Sequence, residues 1–262
     1  MKNKRTTVIA AFIGLSLFAI IVPAFKNVQD PKVADGGSKT VTKKTEGKNA
    51  CDVSNGRAAL LSQKTKSSQY DLGKLLAKKE LMVVNREVTA SPDKKYSAVK
   101  ISEKDGEGVV WIKGVTFSKG IIELDLKGKD VLQKSFIGVA FHGADNKTFD
   151  GIYFRPFNFK ATDSIRHIHA VQYISHPDFP WKKLRDEKNG QYEKAVAPEP
   201  DPNNWFHTRI EVGDKEVKVF VNNATKPSLV VNKLNNRKSG MIGLWTGEGS
   251  GGEFANLSIT NN

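Results

Sequence analysis

From residue 80 onward, short β-branched and aromatic runs recur, alternating with polar positions and separated by Gly, Asp, Asn and Pro clusters. Residues 215–221 (KEVKVFV) show the pattern: Val217, Val219 and Val221 fall on one side of an extended chain, and Glu216, Lys218 and Phe220 on the other. The same reading predicts strands over 81–88, 96–102, 108–112, 120–126, 135–142, 149–157 and 168–174. After a long gap it predicts further strands over 205–212, 216–221, 228–231, 240–245 and 253–259. No helix-length periodic stretch interrupts them, so the pattern implies an all-β domain over residues 80–262, with two antiparallel sheets packed face to face. A closed barrel is the alternative that strand count alone leaves open.

The first 79 residues read differently. Lys2, Lys4 and Arg5 precede an apolar run over 8–22, broken only by Gly14 and Ser16, and Val22-Pro23-Ala24 places small residues after it. This layout predicts a secretory signal peptide over 1–24 and a periplasmic or secreted destination. An uncleaved anchor is the alternative, because 8–25 is 18 residues, the lower edge of a bilayer span; after cleavage no membrane span is expected. Residues 25–79 are expected to form a flexible linker, since 26–69 hold no aromatic residue and few large aliphatics to offset chain entropy. Leu72, Leu75 and Leu76 share a helical face, so 70–79 reads as one or two helical turns. The single Cys51 has no partner for a disulfide and lies 26 residues beyond Phe25, too far for a lipidated cysteine; it reads as an incidental thiol.

Charge changes this picture little. The chain has 41 basic and 28 acidic residues, a formal net charge of +13, but residues 1–70 hold 12 and 4 of them, leaving 29 against 24 for the rest. A nucleic-acid reader carries its positive charge on the folded surface, so no nucleic-acid partner is expected.

Three stretches carry a resemblance: residues 117–125 (FSKGIIELD), 135–159 (SFIGVAFHGADNKTFDGIYFRPFNF) and 240–259 (GMIGLWTGEGSGGEFANLSI). Together they resemble the concanavalin A-like lectin and glucanase superfamily, with laminin G-like members, and imply a two-sheet antiparallel jelly-roll sandwich. Residues 205–212 (WFHTRIEV) and 217–222 (VKVFVN) are also similar to bacterial domains labelled 3-keto-disaccharide hydrolase-like. The superfamily hosts lectins, carbohydrate-binding modules, glycoside hydrolases and protein-binding domains, so the resemblance implies fold more sharply than function. Its laminarinase-type members carry Glu-x-Asp-x-x-Glu on a concave strand. Glu123 and Asp125 match the first two positions, but Gly128, or Lys129 in the longer form, stands at the third. Retaining hydrolysis needs a second carboxyl group about 5 to 5.5 Å away, so the pair reads as a solvated polar face.

Strand pleating then suggests a binding face. In 135–142, Ile137, Val139 and Phe141 are expected inward and Phe136, Gly138, Ala140 and His142 outward. In 149–157, Ile152 and Phe154 are expected inward and Tyr153 and Arg155 outward. In 168–174, Ile168, Ala170, Gln172 and Ile174 are expected inward, with His169, Val171 and Tyr173 outward. If the three strands are neighbours, His142, Tyr153, Arg155, His169 and Tyr173 share one surface. Tyrosine rings suit sugar CH groups, and Arg and His offer directed hydrogen bonds to hydroxyls or a carboxylate. Residues 175–204 form a loop with five of the ten prolines, which either walls this face with Trp181 or packs Trp181 on the sandwich as a flap.

Trp245, followed by the glycine-rich 246–252, is a possible ligand platform. Asp145, Asn146 and Asp150 flank a turn that needs no ion to explain it, and no metal or cofactor is assigned. The sequence thus points to an exported glycan- or polysaccharide-binding, lectin-like domain. The alternative is a glycoside hydrolase or polysaccharide lyase with His142 or His169 as base and Tyr153 as acid.

Overall fold

A computed structural model describes residues 67–262. The expected signal peptide, Cys51 and most of the expected linker lie outside the described residues. The strands are β1 (Ser67–Tyr70), β2 (Leu81–Val84), β3 (Val88–Ala90), β4 (Val99–Ile101), β5 (Gly108–Phe117), β6 (Gly120–Lys127), β7 (Ile137–Gly143) and β8 (Asp150–Phe154). They continue as β9 (Val171–Ser175), β10 (Glu193–Lys194), β11 (Trp205–Val212), β12 (Glu216–Val221), β13 (Leu229–Asn232), β14 (Gly240–Thr246) and β15 (Gly252–Asn261). Three short helices accompany them: α1 (Leu72–Ala77), α2 (Ser164–His167) and α3 (Trp181–Glu187).

All pairings are antiparallel and fall into two sheets. The front sheet runs β10-β9-β8-β7-β14-β5-β2, and the back sheet runs β13-β12-β11-β6-β15-β4-β3. Neither order closes on itself, so the fold is a sandwich and not a barrel. The chain changes sheets between β2 and β3, where one continuous strand was expected. Asn85 turns there at φ 53°, and its amide donates to the carbonyls of Asp105 and Glu107 at 2.9 Å each.

The back sheet keeps one dry and one wet face. Ile122, Leu124 and Leu126 of β6 alternate with half-exposed residues, and so do Phe206, Ile210 and Val212 of β11. These side chains meet Ile137, Val139, Phe141, Ile152 and Phe154 of the front sheet in the main core. The front sheet is different, because β7, β8 and β9 are buried at every position. Its outer face carries a second apolar cluster that includes Val109, Trp111, Ala140, Tyr153, Ile174 and Trp245, and Leu184 of α3 packs against it. The long proline-containing segment therefore covers a sheet face, and it holds both α3 and β10.

The sandwich begins earlier than residue 80. β1 pairs with the C-terminal half of β15, from Ser67 opposite Thr260 to Tyr70 opposite Leu257, while β4 takes the N-terminal half of the same edge. α1 follows with Asp71 as its N-cap, accepting from Lys74 N at 2.9 Å, and Leu72 is wholly buried in the main core. The helical turn read from Leu72, Leu75 and Leu76 is present, but residues 67–79 belong to the domain and not to the linker.

Candidate functional site

The outer face of the front sheet is organised around a missing side chain. Gly138 lies opposite Tyr153 of β8 on one side and Trp245 of β14 on the other. A Cβ there would sit 2.0 Å from the Ile152 carbonyl oxygen and 2.6 Å from Tyr153 Cα, so only glycine fits. The two rings close over this gap with centroids 4.9 Å apart. Phe136 meets Tyr153 at 6.2 Å and Phe157 at 5.4 Å, which extends an aromatic floor.

Arg155 follows the end of β8 and is only 4% exposed. Its guanidinium lies 4.8 Å from the centre of the Tyr153 ring. A charge so deep must be paired. Nη1 donates to the His169 carbonyl at 2.9 Å and to Glu193 Oε2 at 3.3 Å, and Nη2 donates to Tyr153 Oη at 2.5 Å and to Gln172 Oε1. Gln172 Oε1 also accepts the Tyr153 hydroxyl at 2.7 Å. Glu193 of β10 accepts a second guanidinium, with Arg185 Nη2 at 2.9 Å and Nε at 3.3 Å. Burial pushes the Tyr153 hydroxyl up to about 12. Burial also lowers His169, against the opposing pull of Glu193, so its imidazole is neutral near pH 7.

Above this floor lies a cavity of about 470 Å³, within the range of small-ligand sites. Tyr153, Arg155, His169, Trp181, Trp245 and Phe136 line it, together with Arg166, Arg185, Glu107 and Glu248. Trp181 opens α3, is 45% exposed, and carries the Arg185 guanidinium 5.2 Å from its ring centre. Of residues 175–204, Trp181 and Arg185 reach this lining, while Leu184 packs on the sheet. Two lining residues hold buried polar atoms without a hydrogen-bond partner: Trp245 Nε1 and His169 Nε2, the latter 3.3 Å from Glu193 Oε1 without hydrogen-bond geometry. Such orphans cost on the order of 1–3 kcal/mol each.

Four of the six expected site residues, Tyr153, Arg155, His169 and Trp181, converge on this cavity. His142 and Tyr173 do not. His142, the residue before the last of β7, has φ 51°, which turns its ring against Phe117 at 5.8 Å and away from the outer face. Tyr173 lies opposite Ile152, not Tyr153, and so points into the main core. Gln172, expected inward, takes the place beside Tyr153.

His142 and Tyr173 instead serve Asp150, five residues from Arg155 and so roughly 16 Å along the strand. Asp150 accepts from His142 Nδ1 at 3.2 Å, Tyr173 Oη at 3.0 Å, Arg237 Nη2 at 2.8 Å and Asn235 Nδ2. Burial alone would raise this carboxyl, but the His142 hydrogen bond and the Arg237 charge outweigh it and hold it below the usual range.

Other candidate groups have protein partners of their own. Asp145 accepts from Lys147 N at 2.7 Å, and Asn146 accepts from Trp111 Nε1 at 2.9 Å. Glu123 and Asp125 stand on the outer face of the back sheet, away from the aromatic cavity. There Asp125 accepts from Asn256 at 2.6 Å and holds His207 Nδ1 at 2.8 Å, with Glu123 3.7 Å from His207 Nε2. The Asp125 hydrogen bond, with both acidic charges, raises the His207 imidazole against its burial. A shallower hollow of about 370 Å³ lies beside them, lined by Tyr96, Trp205 and His207 among others.

No protein-family profile matches the chain, and no curated protein does. Solved structures do. A Bacillus subtilis protein of unknown function with a galectin-like fold superposes with a TM-score of 0.52 at 12% identity, over 74% of this chain and 94% of that one. The carbohydrate-binding module CBM66 from Bacillus subtilis gives 0.45 at 13%, over 70% and 92%. The exoplasmic/lumenal domain of VIP36, in its Ca²⁺/Man₃GlcNAc-bound form, gives 0.45 at 10%, over 70% and 86%. The sheet order and the galectin-like superposition show a two-sheet antiparallel β-sandwich of galectin-like fold, the architecture that the three sequence stretches implied.

Gln172→Leu keeps volume and removes the acceptor shared by Arg155 and Tyr153. Urea denaturation is expected to show a loss of about 2–4 kcal/mol, with Gln172→Glu losing less. The Asp150 carboxyl ionises more readily folded than unfolded, where its value is about 3.9. Its contribution is therefore full at neutral pH and is lost as pH falls through the depressed folded value. The urea midpoint is expected to fall between pH 5 and pH 3, and Asp150→Asn to fall less steeply from a lower starting point.

Proposed function

We propose that the protein is an exported, lectin-like carbohydrate-binding domain, with its glycan held in the cavity on the outer face of the front sheet. The observation that carries this reading is the convergence of an apolar ring floor with a polar rim. Tyr153, Trp245 and Phe136 offer faces for sugar CH groups, while His169, Arg166 and Arg185 offer polar edges for hydroxyls. Leu132 and Trp181, 57% and 45% exposed, stand at the mouth. The floor is preorganised, because Arg155 and Gln172 fix the Tyr153 ring before any ligand arrives, which lowers the ordering cost of binding.

Of the enzymatic roles suggested by the sequence, the surroundings of two side chains, His142 as base and Tyr153 as acid, speak against them. His142 is enclosed by Phe117, Phe141 and Asp150. Tyr153 is hydrogen-bonded to Gln172 and Arg155, with its hydroxyl raised to about 12, far from an acid working near neutral pH.

Export rests on the basic residues, apolar run and small residues of 1–24. No helix among the described residues is long and apolar enough to cross a membrane.

Glycan-array screening followed by calorimetric titration is expected to find a saccharide ligand. Trp181→Ala and Trp245→Ala should each weaken it roughly ten-fold or more, as loss of a stacking ring does at binding sites. A correctly folded protein that retains no saccharide at millimolar concentration would remove the reading. For export, N-terminal sequencing of the full chain expressed in a bacterial host should find a mature species starting at Phe25. A membrane-bound chain that keeps residues 1–24 would instead identify an anchor.

A further inference from the structure

The charges around the cavity are unevenly distributed. At the β8–β9 side stand three guanidiniums, Arg155, Arg185 and Arg166. One carboxylate, Glu193, answers Arg155 and Arg185 together. Arg166 has only neutral acceptors: its Nε donates to Asn158 Oδ1 at 3.3 Å and its Nη2 to the Phe157 carbonyl at 2.9 Å. Among the described residues, no carboxylate lies within ion-pairing distance of that guanidinium. Asp163 is near in sequence, but its side chain caps α2 by accepting from Arg166 N at 2.7 Å. His169, neutral near pH 7, adds no charge. This side of the lining therefore sets three guanidiniums against one carboxylate, Glu193, while the Asp163 charge acts on His169 without lying within ion-pairing distance of the Arg166 guanidinium.

The acids of the lining sit elsewhere. Glu107 precedes β5 and lies 3.3 Å from His176, and Glu248 follows β14 and accepts from Gly106 N at 2.8 Å. Phe154, Ile137, Thr246 and Gly108 lie opposite one another across β8, β7, β14 and β5. The Glu248 and Glu107 backbones are thus two to three strand spacings from Arg155, roughly 10 to 14 Å. That is the length of two or three sugar rings, with a cationic side at one end and hydrogen-bond acceptors at the other.

We propose, resting on the glycan-binding reading above, that the occupant is an acidic saccharide. Its anionic substituent, a carboxylate or a sulfate ester, is held between Arg166 and Arg185, and its hydroxyl groups donate to Glu107 and Glu248. Guanidinium groups pair with planar or tetrahedral oxyanions through paired N–H donors, and an unpaired Arg166 on a half-enclosed rim is placed to do so.

The full-length protein would be titrated calorimetrically at low salt with three trisaccharides of one backbone: galactotriose, trigalacturonate and a sulfated galactotriose. At least one acidic form is expected to bind roughly ten-fold more tightly than the neutral one, the worth of one good charge-assisted contact. The preference should shrink at 0.5 M NaCl, where exposed charges are screened. Arg166→Gln should remove most of the acidic-over-neutral ratio, and Arg166→Lys, which keeps the charge, should retain part of it. Equal affinity for neutral and acidic forms, or a ratio untouched by Arg166→Gln, overturns this inference and leaves the glycan-binding reading standing. No binding of any saccharide, there or on the array, overturns both.

Discussion

A guanidinium carried into a protein interior must find acceptors for its N–H groups, and the arrangement around Arg155 follows from that requirement. β8 ends at Phe154, and the next side chain lands beneath the segment that covers the front sheet. Besides the Tyr153 hydroxyl on β8, its acceptors come from three separate places: Gln172 on β9, Glu193 on β10 and the carbonyl of His169 before β9. Each of these also shapes the cavity. Gln172 fixes the Tyr153 hydroxyl, Glu193 anchors Arg185 of α3, and the His169 carbonyl also accepts from Asn158 at 3.1 Å. One buried charge thus joins floor, wall and rim, so a change at Gln172 or Glu193 alters the shape of the cavity as well as its polarity.

Where one face of a sheet is wet, the sequence is easy to read. β11 alternates because only its inner side chains are enclosed, and β6 placed Glu123 and Asp125 on a solvated face for the same reason. The inward sets of β7 and β8 were also legible, since Ile137, Val139 and Phe141 alternate with Gly138 and Ala140, and Ile152 and Phe154 with Gly151 and Tyr153. β9 was not. It is buried on both faces, so the apolar Ile174 lies on the outer face, the polar Gln172 joins it there, and Tyr173 enters the core. Hydrophobicity cannot set the parity of such a strand. Only its pairing with β8 does, which places Gln172 opposite Tyr153.

Other differences arise from backbone geometry that residue type signals weakly. A positive φ at His142 takes its ring out of the alternation, and a positive φ at Asn85 sends one apparent strand into two sheets. β1 escaped notice because Ser67, Ser68 and Gln69 have no apolar pattern, and the strand exists only because β15 offers a free edge. Trp181 and Trp245 were visible as residues worth keeping. Arg166, Arg185 and Glu193 were not, because they reach the site from α2, α3 and β10, short elements on either side of β9 with no periodicity of their own.

The front sheet holds two polar clusters at the two ends of β8, and they differ in what surrounds their charges. At Asp150 the carboxylate draws in four donors, from His142, Tyr173, Asn235 and Arg237, within the protein itself. That cluster fixes the strand end and leaves the carboxylate no unmet demand. At Arg155 the central charge is equally well met. Buried polar atoms without a hydrogen-bond partner stand at both ends, Arg237 Nε beside Asp150 and Trp245 Nε1 and His169 Nε2 here, but only the latter belong to residues that line the cavity, and Arg166 beside them has no counter-charge. Both clusters are held by the same strand and the same packing, so their difference does not come from looser folding at one end. It comes from the aromatic cavity at the Arg155 end, where the Tyr153 and Trp245 rings, closed over Gly138, floor a space that the protein's own side chains do not fill. Unmet polar groups gathered beside such a space mark the end of the sheet suited to a ligand.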